Sequence, residues 1–400
     1  MFISINMKKT FITILSLVCT LSIANADDES IEFSGFARAV LGHLNEENLS
    51  FLGYENDYSF GEQSLFAFRA NASLTDKISF VAQAIAHTSE VRDSGIQWLY
   101  VDYRPSNDLS FKLGRQRAPF FTYSDVIDVG FAYPWITPPA QVYTNYIFSE
   151  FDGVLARYDF SLENVSGSVE SYLGNYDGNI SIYGQELEAK LDYLFGFVST
   201  LSFNNFTITA AITQASVEVG IPELQTLKDI LDSLNFVESA NELNIDDIVR
   251  YYRVGASYNS VDFFVESELT RIESDTPIIP SVTSSYLTLG YNFAPYSVHA
   301  TFANSDAKYQ QVNNQIPLGF NPQLDALHFG FQQVFDSFPV DNLRSFTLGA
   351  RYDLKYDLAF KAEVSFLNGN DNERAFFEIK DPAYPERKAV LLQLAVEWVF

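Results

Sequence analysis

The feature that most constrains the fold is an alternation of apolar and polar residues that recurs in segments of nine or more residues. In LFAFRANASL (65–74), Phe66, Phe68 and Leu74 lie on one face, while Arg69 and Asn71 lie on the other. Period-two alternation is typical of a strand with an apolar face and a polar face. Strands of soluble sandwiches are mostly about 5–6 residues long, so these longer segments favour tilted membrane strands.

Sixteen segments are predicted as strands, and the connections between them alternate between short and long. Unpaired backbone groups are not tolerated in lipid, so such strands must close into a barrel. The sequence therefore predicts an all-β fold, a transmembrane antiparallel β-barrel of 16 strands spanning 27–400, with short periplasmic turns and long extracellular loops. The strands are predicted near 31–44, 65–74, 78–87, 96–104, 109–116, 152–161, 165–173, 187–203, 206–216, 251–258, 261–272, 284–293, 297–305, 343–353, 358–367 and 389–400.

The first 26 residues have the pattern of a Sec signal peptide. Lys8 and Lys9 precede a short apolar run that ends before Ala24-Asn25-Ala26, an A-x-A cleavage site. Removing 1–26 moves the formal charge from −26 to −28, because that segment contains two lysines and no acidic residue. This excess of negative charge disfavours nucleic-acid binding. Cys19 is the only cysteine, so the mature chain is predicted to contain no disulfide and no thiolate metal site.

The chain ends on LLQLAVEWVF, which alternates up to its last residue. We predict that this segment is the final strand and closes the barrel against the first. Its lipid-facing stripe is predicted to consist of Leu392, Leu394, Val396, Trp398 and Phe400.

The chain resembles the Gram-negative outer-membrane porins, both general and phosphate-selective. The resemblance rests on the Ala24-Asn25-Ala26 signal, the early strand FSGFARAVLGHL, the terminal LQLAVEWVF and the stretch FKLGRQRAPFF before a long loop. It implies passive solute diffusion through a homotrimer in contact with lipid and lipopolysaccharide. It also implies a third loop folded into the lumen, and a C-terminal Phe400 stripe read as an assembly signal by the outer-membrane barrel-assembly machinery.

The predicted third loop, 117–150, has few charges and many aromatic residues. An apolar loop of this length must pack on something, so we expect it to fold inward as the constriction, with Asp125 and Asp128 facing the channel. The alternative is that its aromatic residues cap the barrel or line a trimer contact. They are Phe120, Phe121, Tyr123, Phe131, Tyr133, Trp135, Tyr143 and Tyr146.

Basic residues on the predicted wall are the expected partners of these acidic groups. The basic constriction candidates are Arg38, Arg69, Lys112, Arg115, Arg117 and Arg157. The acidic wall candidates are Glu170, Glu188, Asp192, Glu266, Glu268 and Glu363. Rings of charge set ion preference in pores, although such charges also simply keep a lumen wet. The acidic balance favours a weak cation preference. The alternatives are a substrate-specific channel for anions, phosphate or sugars, and, as a non-porin barrel, an adhesin or a fatty-acid transporter.

Two further long loops, 217–250 and 306–342, are predicted to contain short helices. Leu224, Leu227 and Leu231 recur at helical spacing behind Pro222, and Asn321 is a candidate N-cap. The four histidines are scattered without metal-ligand spacing. No metal site, cofactor or catalytic residue is predicted, and the chain is not expected to be an enzyme.

Overall fold

A computed structural model describes residues 31–89, 92, 94–144, 148, 150–182, 185–244 and 246–400. The predicted signal peptide lies outside them. The described residues form a closed barrel of sixteen strands and a separate two-stranded sheet of β2 and β17. In chain order the strands are β1 Ile31–Leu44, β2 Leu49–Phe51, β3 Leu65–Thr75, β4 Ile78–His87, β5 Gly95–Tyr103, β6 Leu109–Arg117, β7 Glu150–Leu162, β8 Val165–Ile182, β9 Gln185–Phe203, β10 Phe206–Val219, β11 Asp247–Asn259, β12 Phe263–Ser274, β13 Ser281–Phe293, β14 Tyr296–Lys308, β15 Leu343–Lys355, β16 Leu358–Gly369, β17 Phe377–Ile379 and β18 Lys388–Val399.

The barrel closes between its first and last strands, and every neighbouring pair is antiparallel. β1 pairs with β18 from Phe36 opposite Val399 to Leu44 opposite Leu391. Beyond that register the Gly35 amide donates to the Phe400 carbonyl at 2.8 Å, and the Phe400 amide donates back at 2.9 Å. The prediction of a sixteen-stranded antiparallel barrel is confirmed, and β18 supplies the edge that closes the barrel against β1.

Apolar side chains cover the outside of the barrel, as expected for a wall that faces lipid. On β18, Leu394 is 56% exposed while its neighbour Ala395 is 4% exposed. At the end of the barrel with the short turns, aromatic rings on neighbouring strands stack on one another. The ring centroid of Phe293 lies 5.7 Å from that of Tyr296, and the ring centroid of Tyr296 lies 4.9 Å from that of Tyr352. These rings form a girdle of the kind found at a membrane interface.

One part of the predicted inward and outward pattern is wrong. The pairing of β9 with β10 shifts register between Ser216 and Val217, which lie opposite Tyr193 and Leu191. This bulge reverses which side chains of β9 point inward and which point outward in the part of the strand before Tyr193, since one extra residue exchanges the two faces of a strand. Leu191 is therefore buried inside the barrel, whereas unbroken alternation along β9 predicts that it faces lipid. Glu188, Lys190 and Asp192 are exposed on the outside instead of facing the lumen.

The long loops carry structure of their own. In the stretch where leucine spacing predicts a helix, α2 covers Pro222–Ser233. The other helices are α1 Ala140–Tyr143, α3 Val237–Glu242 and α4 Pro322–Asp336. Asn321 caps α4, its Oδ1 accepting from the Leu324 amide at 2.9 Å. Leu231 of α2 and Phe331 of α4 are buried in one apolar cluster, so the two loops pack together. Within the described part of the chain, no helix is long and apolar enough to span a membrane.

Candidate channel constriction

The loop between β6 and β7 lies inside the barrel. Its described part comprises residues 118–144 and 148, and Tyr146 lies outside it. Three polar side chains of the loop bond to inward side chains of widely separated strands. Trp135 Nε1 donates to Thr301 Oγ1 on β14 at 2.9 Å, Gln141 Nε2 to Ser345 Oγ on β15 at 2.8 Å, and Tyr143 OH to Glu268 Oε2 on β12 at 3.4 Å. The loop is thus attached across a large part of the wall.

Aromatic packing explains why an apolar loop is stable in this place. Phe121 lies 5.9 Å from Tyr251 of β11 in an edge contact, and Trp135 lies 5.3 Å from Tyr286 of β13 in the same geometry. Trp135 is 1% exposed. Edge-to-face pairs of buried aromatic rings add about 0.5–1.5 kcal/mol to the burial of their area. The aromatic residues of the loop therefore form an inner core between the loop and the wall.

A buried lysine holds the middle of the loop to β16. Lys361 Nζ donates to the carbonyls of Gly130, Tyr133 and Trp135 at 2.6, 2.7 and 2.8 Å. It also lies 2.8 Å from Glu397 Oε2 of β18, and both side chains are 1% exposed. An ammonium group has three protons to donate, so its hydrogen-bonding capacity is fully used within this site.

Two more wall side chains complete this attachment. Glu363 Oε1 accepts from the Ile136 amide at 2.7 Å, and Glu363 Oε2 accepts from the Thr137 amide at 3.4 Å. Arg38 Nη2 donates to the Ile136 carbonyl at 2.6 Å. We call Arg38, Lys361, Glu363 and Glu397 the ionic clamp. The prediction of Arg38 as a constriction residue is wrong in one respect, because its guanidinium is buried under the loop rather than open to the channel.

Asp128 is also a fastening point and not an open channel charge. Asp128 is 4% exposed. Its Oδ2 lies 2.8 Å from Arg117 Nη2 and accepts from Gln97 Nε2 at 3.1 Å, and its Oδ1 lies 2.6 Å from Arg92 Nη2. Burial acts against its ionisation, but Arg117 and Arg92 overcome this and hold the pKa of Asp128 well below its usual range. The expectation that Asp128 and Arg117 face the channel is therefore wrong.

Arg115 lies on the opposite side of the wall from the expected one. In the register it is opposite Leu99 of β5 and Asp152 of β7. Leu99 is 42% exposed and Leu113, two residues before Arg115 on the same face, is 60% exposed, so this is the outer face. Arg115 pairs with Asp152 there at 3.0 Å. Residues opposite each other on paired strands share a face, and this placement removes Arg115 from the constriction.

Three predicted basic residues do face the lumen on β3, β6 and β7. We call Arg69, Lys112 and Arg157 the open wall. The Arg69 guanidinium lies 5.2 Å from the Trp98 ring centroid, and the Lys112 ammonium lies 5.4 Å from the Tyr100 ring centroid. Among the described residues, Arg69 and Lys112 form no ion pair. Arg157 lies 2.6 Å from Glu170 and 2.8 Å from Asp159, and its side chain is 43% exposed.

Asp125 is the acidic group of the loop that faces this wall. It belongs to a short 3-10 turn, Ser124–Val126, and its side chain is exposed. Its carboxylate is close enough to Arg157 and Glu170 to interact with them electrostatically. The arrangement places an acidic group of the loop opposite a basic strip of the wall, and can impose a transverse field on solutes between them.

The ionic clamp is the functional feature that the sequence interpretation missed. Lys361 and Glu363 both lie on the water-facing parity of their strand, as was predicted for Glu363, but parity does not show which inward charges a loop will cover. Their position in the middle of an apolar strand, two residues apart, is the available signal. Within the described residues, no three His, Cys, Asp or Glu side chains are grouped as metal ligands.

Comparisons with known proteins agree with this architecture. The sequence model of the Gram-negative porins matches residues 13–372. Among solved structures, OmpF of Salmonella typhi in complex with daunomycin has a TM-score of 0.56 at 13% identity, covering 92% of this chain and 97% of that one. The anion-selective porin of Comamonas acidovorans and a loop L8 deletion mutant of Vibrio cholerae OmpT each have a TM-score of 0.55 at 12% identity, covering 93% of this chain and 99% of theirs. No curated protein matches the sequence significantly.

Proposed function

Since the chain belongs to the Gram-negative porin family and is a channel of the outer membrane, we propose that small hydrophilic solutes and ions diffuse passively through it between Asp125 and the open wall. One observation carries this proposal. The loop is bonded to one part of the wall through the ionic clamp, while Arg69 and Lys112 are left without ion-pair partners among the described residues. Conductance of single channels in a planar bilayer, with neutral sugars of increasing size as blockers, tests the proposal. Absence of ion conductance would contradict it.

The proposed ion preference is weak and towards cations. The charge of −28 after loss of the signal peptide favours counter-ions near the channel mouths. A specific observation favours the opposite preference, since Arg69 and Lys112 face the lumen and form no ion pair among the described residues. Reversal potential under a salt gradient separates the two. In a cation-preferring channel, Asp125→Asn should reduce the preference. An anion-preferring wild type would show that the open wall outweighs the overall charge.

We also propose a homotrimer that associates through the outer faces of β1, β3 and β4. Small side chains lie together on the outward face of β4, where Ala82, Ala84 and Ala86 follow one another at every second position and Ala82 is opposite Ala70 of β3. A flat face lets neighbouring barrels approach closely, and a trimer form is among the similar solved structures of Vibrio cholerae OmpT. Ala84→Trp should dissociate the trimer on native gels. Leu269→Trp, on the exposed outer face of β12, is the matched control and should leave it intact.

The C-terminal stripe is proposed as the signal read by the barrel-assembly machinery, with membrane lipid and lipopolysaccharide as surrounding partners. The Phe400 ring lies 4.6 Å from Trp398 and 5.9 Å from Phe66. Leu392, Leu394 and Val396 continue the stripe on the outside. Phe400→Ala keeps the backbone pairing with Gly35 and removes only the ring. It should lower the amount of barrel in the outer membrane severalfold, whereas Phe400→Tyr should not. Equal amounts for all three chains would contradict the proposal.

A further inference from the structure

Two glutamates of β12 lie beneath the loop without a basic partner. Glu266 is 8% exposed and Glu268 is 2% exposed, while Leu269 on the other face of the strand is 51% exposed. Among the described residues, neither carboxylate forms an ion pair with a lysine, an arginine or a histidine. Buried charges in proteins are paired or bound to a metal ion, so these two glutamates require a source of positive charge.

The loop between β6 and β7 holds one oxygen of each glutamate. Glu268 Oε2 accepts from the Thr122 amide at 3.2 Å and from Tyr143 OH at 3.4 Å. Tyr123 forms a side-chain hydrogen bond with Glu266. The remaining oxygens, Glu266 Oε2 and Glu268 Oε1, are buried and have no hydrogen-bond partner in the described part of the chain. Two carboxylate oxygens are therefore available to bind a further group.

The wall beside these oxygens has an inward position without a side chain. Gly255 of β11 is opposite Glu268 on one side and opposite Thr209 of β10 on the other. Thr209 Oγ1 and Thr122 Oγ1 lie 2.6 and 3.2 Å from the place that a Cβ of Gly255 would take. Thr209 Oγ1 is buried and has no hydrogen-bond partner among the described residues. The glycine thus leaves a space bordered by hydroxyl and carboxylate oxygens.

A buried tyrosine hydroxyl is a separate sign of a ligand at this place. Tyr251 is 7% exposed, and its hydroxyl has no hydrogen-bond partner within the described residues. It lies close enough to Glu268 to interact with it electrostatically. Buried polar groups of folded proteins almost always have a partner, so this oxygen is available to the same bound group as the carboxylates.

The charges at the site determine the class of ligand. Arg253 is 4% exposed, donates from Nη1 to Thr122 Oγ1 at 3.4 Å, and interacts electrostatically with Glu268. His299 interacts with Glu266, and a neutral imidazole adds no charge. One guanidinium and two carboxylates leave one negative charge without a partner. Carboxylate and hydroxyl oxygens are hard ligands that suit alkali and alkaline-earth ions, and an ion of single charge balances this site.

We propose that a monovalent metal ion, K⁺ or Na⁺, binds between Glu266 and Glu268 and fastens the base of the loop to β12. The ionic clamp has the same chemistry with a tethered cation, since Lys361 Nζ contacts three loop carbonyls and Glu397. At β12 the loop meets carboxylates and no lysine, so a free ion supplies the charge. The site lies behind the loop, and the proposal does not depend on which solutes pass Asp125.

Anomalous diffraction from crystals of the full barrel, soaked in thallium nitrate in place of potassium nitrate, tests the site. Tl⁺ has the charge of K⁺ and a similar radius. The wild type should show an anomalous peak between Glu266 and Glu268. The peak should be lost in E266Q/E268Q and kept in Glu188→Gln, which changes an exposed carboxylate of β9. No peak in the wild type, or an equal peak in E266Q/E268Q, would overturn the proposal.

The salt dependence of stability is a second measurement. A ligand that binds only the folded chain stabilises it, so the wild type should unfold at a higher urea concentration in KCl than in N-methylglucamine chloride of equal concentration. E266Q/E268Q should unfold at the same urea concentration in both salts. Ser257→Lys places an ammonium group opposite Glu266 and should keep the higher midpoint in both salts, which misfolding does not do. Equal midpoints of the wild type in the two salts, or a persistent difference in Ser257→Lys, would contradict a bound cation.

Discussion

The ionic clamp and the open wall contain the same kinds of side chain at the same inward parity, but they differ in what covers them. Lys361 of the clamp is 3% exposed and bonded to three carbonyls of the loop. Lys112 of the open wall lies over a tyrosine ring, with no ion pair among the described residues. Inward parity makes a charge available to the lumen, and the path of the loop decides whether that charge anchors the loop or meets solutes.

The difference predicts unequal costs when a charge is removed. A buried charge that loses its partner has no water to replace it, so the cost is about 3–5 kcal/mol. An exposed charge is hydrated, and removing it changes stability by about 0.5 kcal/mol or less. Substitutions in the clamp should therefore act on stability and on the loop. Substitutions in the open wall should act on selectivity.

The largest effect is expected from Lys361→Met, with Lys112→Met as the matched control. Removing the ammonium leaves three loop carbonyls without their donor and Glu397 without its nearest cation, so the barrel should lose about 3–5 kcal/mol of unfolding free energy and the channel should become noisy as the loop detaches. Lys112→Met should keep both the stability and a quiet channel. Urea unfolding and single-channel recording provide the two readouts. Equal unfolding free energies for the two variants would contradict the claim that Lys361 anchors the loop and Lys112 does not.

A smaller effect is expected from Glu363→Gln, compared with Glu170→Gln. Glu363 accepts from two loop amides in a buried position, and weakening these bonds should cost about 1–3 kcal/mol. Glu170 pairs with the partly exposed Arg157, and such a pair is worth about 0–1 kcal/mol. Comparing the two urea midpoints checks the order. A larger loss for Glu170→Gln would contradict the assignment of Glu363 to the clamp.

The attachment at Asp128 should depend on pH in a defined direction. The pKa of Asp128 is lowered in the folded chain, so its contribution to stability is present above the unfolded value, about 3.9, and is lost as the pH falls below it. Arg117→Gln removes one of the two cations that lower the pKa, so the variant should be less stable than the wild type above about pH 4, and this difference should shrink as the pH falls below about 3.9. Unfolding at pH values from about 2 to 7 tests the prediction. Identical pH profiles for variant and wild type would show that Arg117 does not stabilise the carboxylate.

The smallest effect on free energy is expected from Arg69→Gln together with Lys112→Gln. Two unit charges at 4 Å in water interact with about 1 kcal/mol, so the ratio of cation to anion permeability should rise by about fivefold or less. Reversal potential measures this ratio, and urea unfolding should show no change. A lowered ratio, or a loss of stability, would place these residues outside the open wall.

The strands could be predicted from the sequence because each carries a strong local signal. A wall between lipid and water requires period-two alternation, and the sixteen predicted segments correspond to the sixteen barrel strands. The exception is the upper part of β9, where the bulge opposite Ser216 and Val217 exchanges the faces. An apolar residue such as Leu191 fits either lipid or an interior core, so alternation alone does not reveal the exchange.

The constriction was only partly predictable because it depends on contacts between distant parts of the chain. Asp125 and Asp128 have similar sequence surroundings, but Asp128 meets Arg92 and Arg117 while Asp125 is exposed. The sheet of β2 and β17 likewise joins Phe51 to Phe377. No local pattern contains that pairing.

Thiol modification of single channels tests the central claim that Asp125 borders the passage. Cys19 is the only natural cysteine, so replacing it with serine leaves each introduced thiol alone. The conductance of each channel is measured before and after adding a charged methanethiosulfonate reagent. Asp125→Cys is compared with Ser124→Cys, a neighbouring position whose own side chain is buried. If Asp125 borders the passage, the reagent lowers the conductance of the Asp125→Cys channel and leaves that of the Ser124→Cys channel unchanged. An unchanged conductance of the modified Asp125→Cys channel would contradict it.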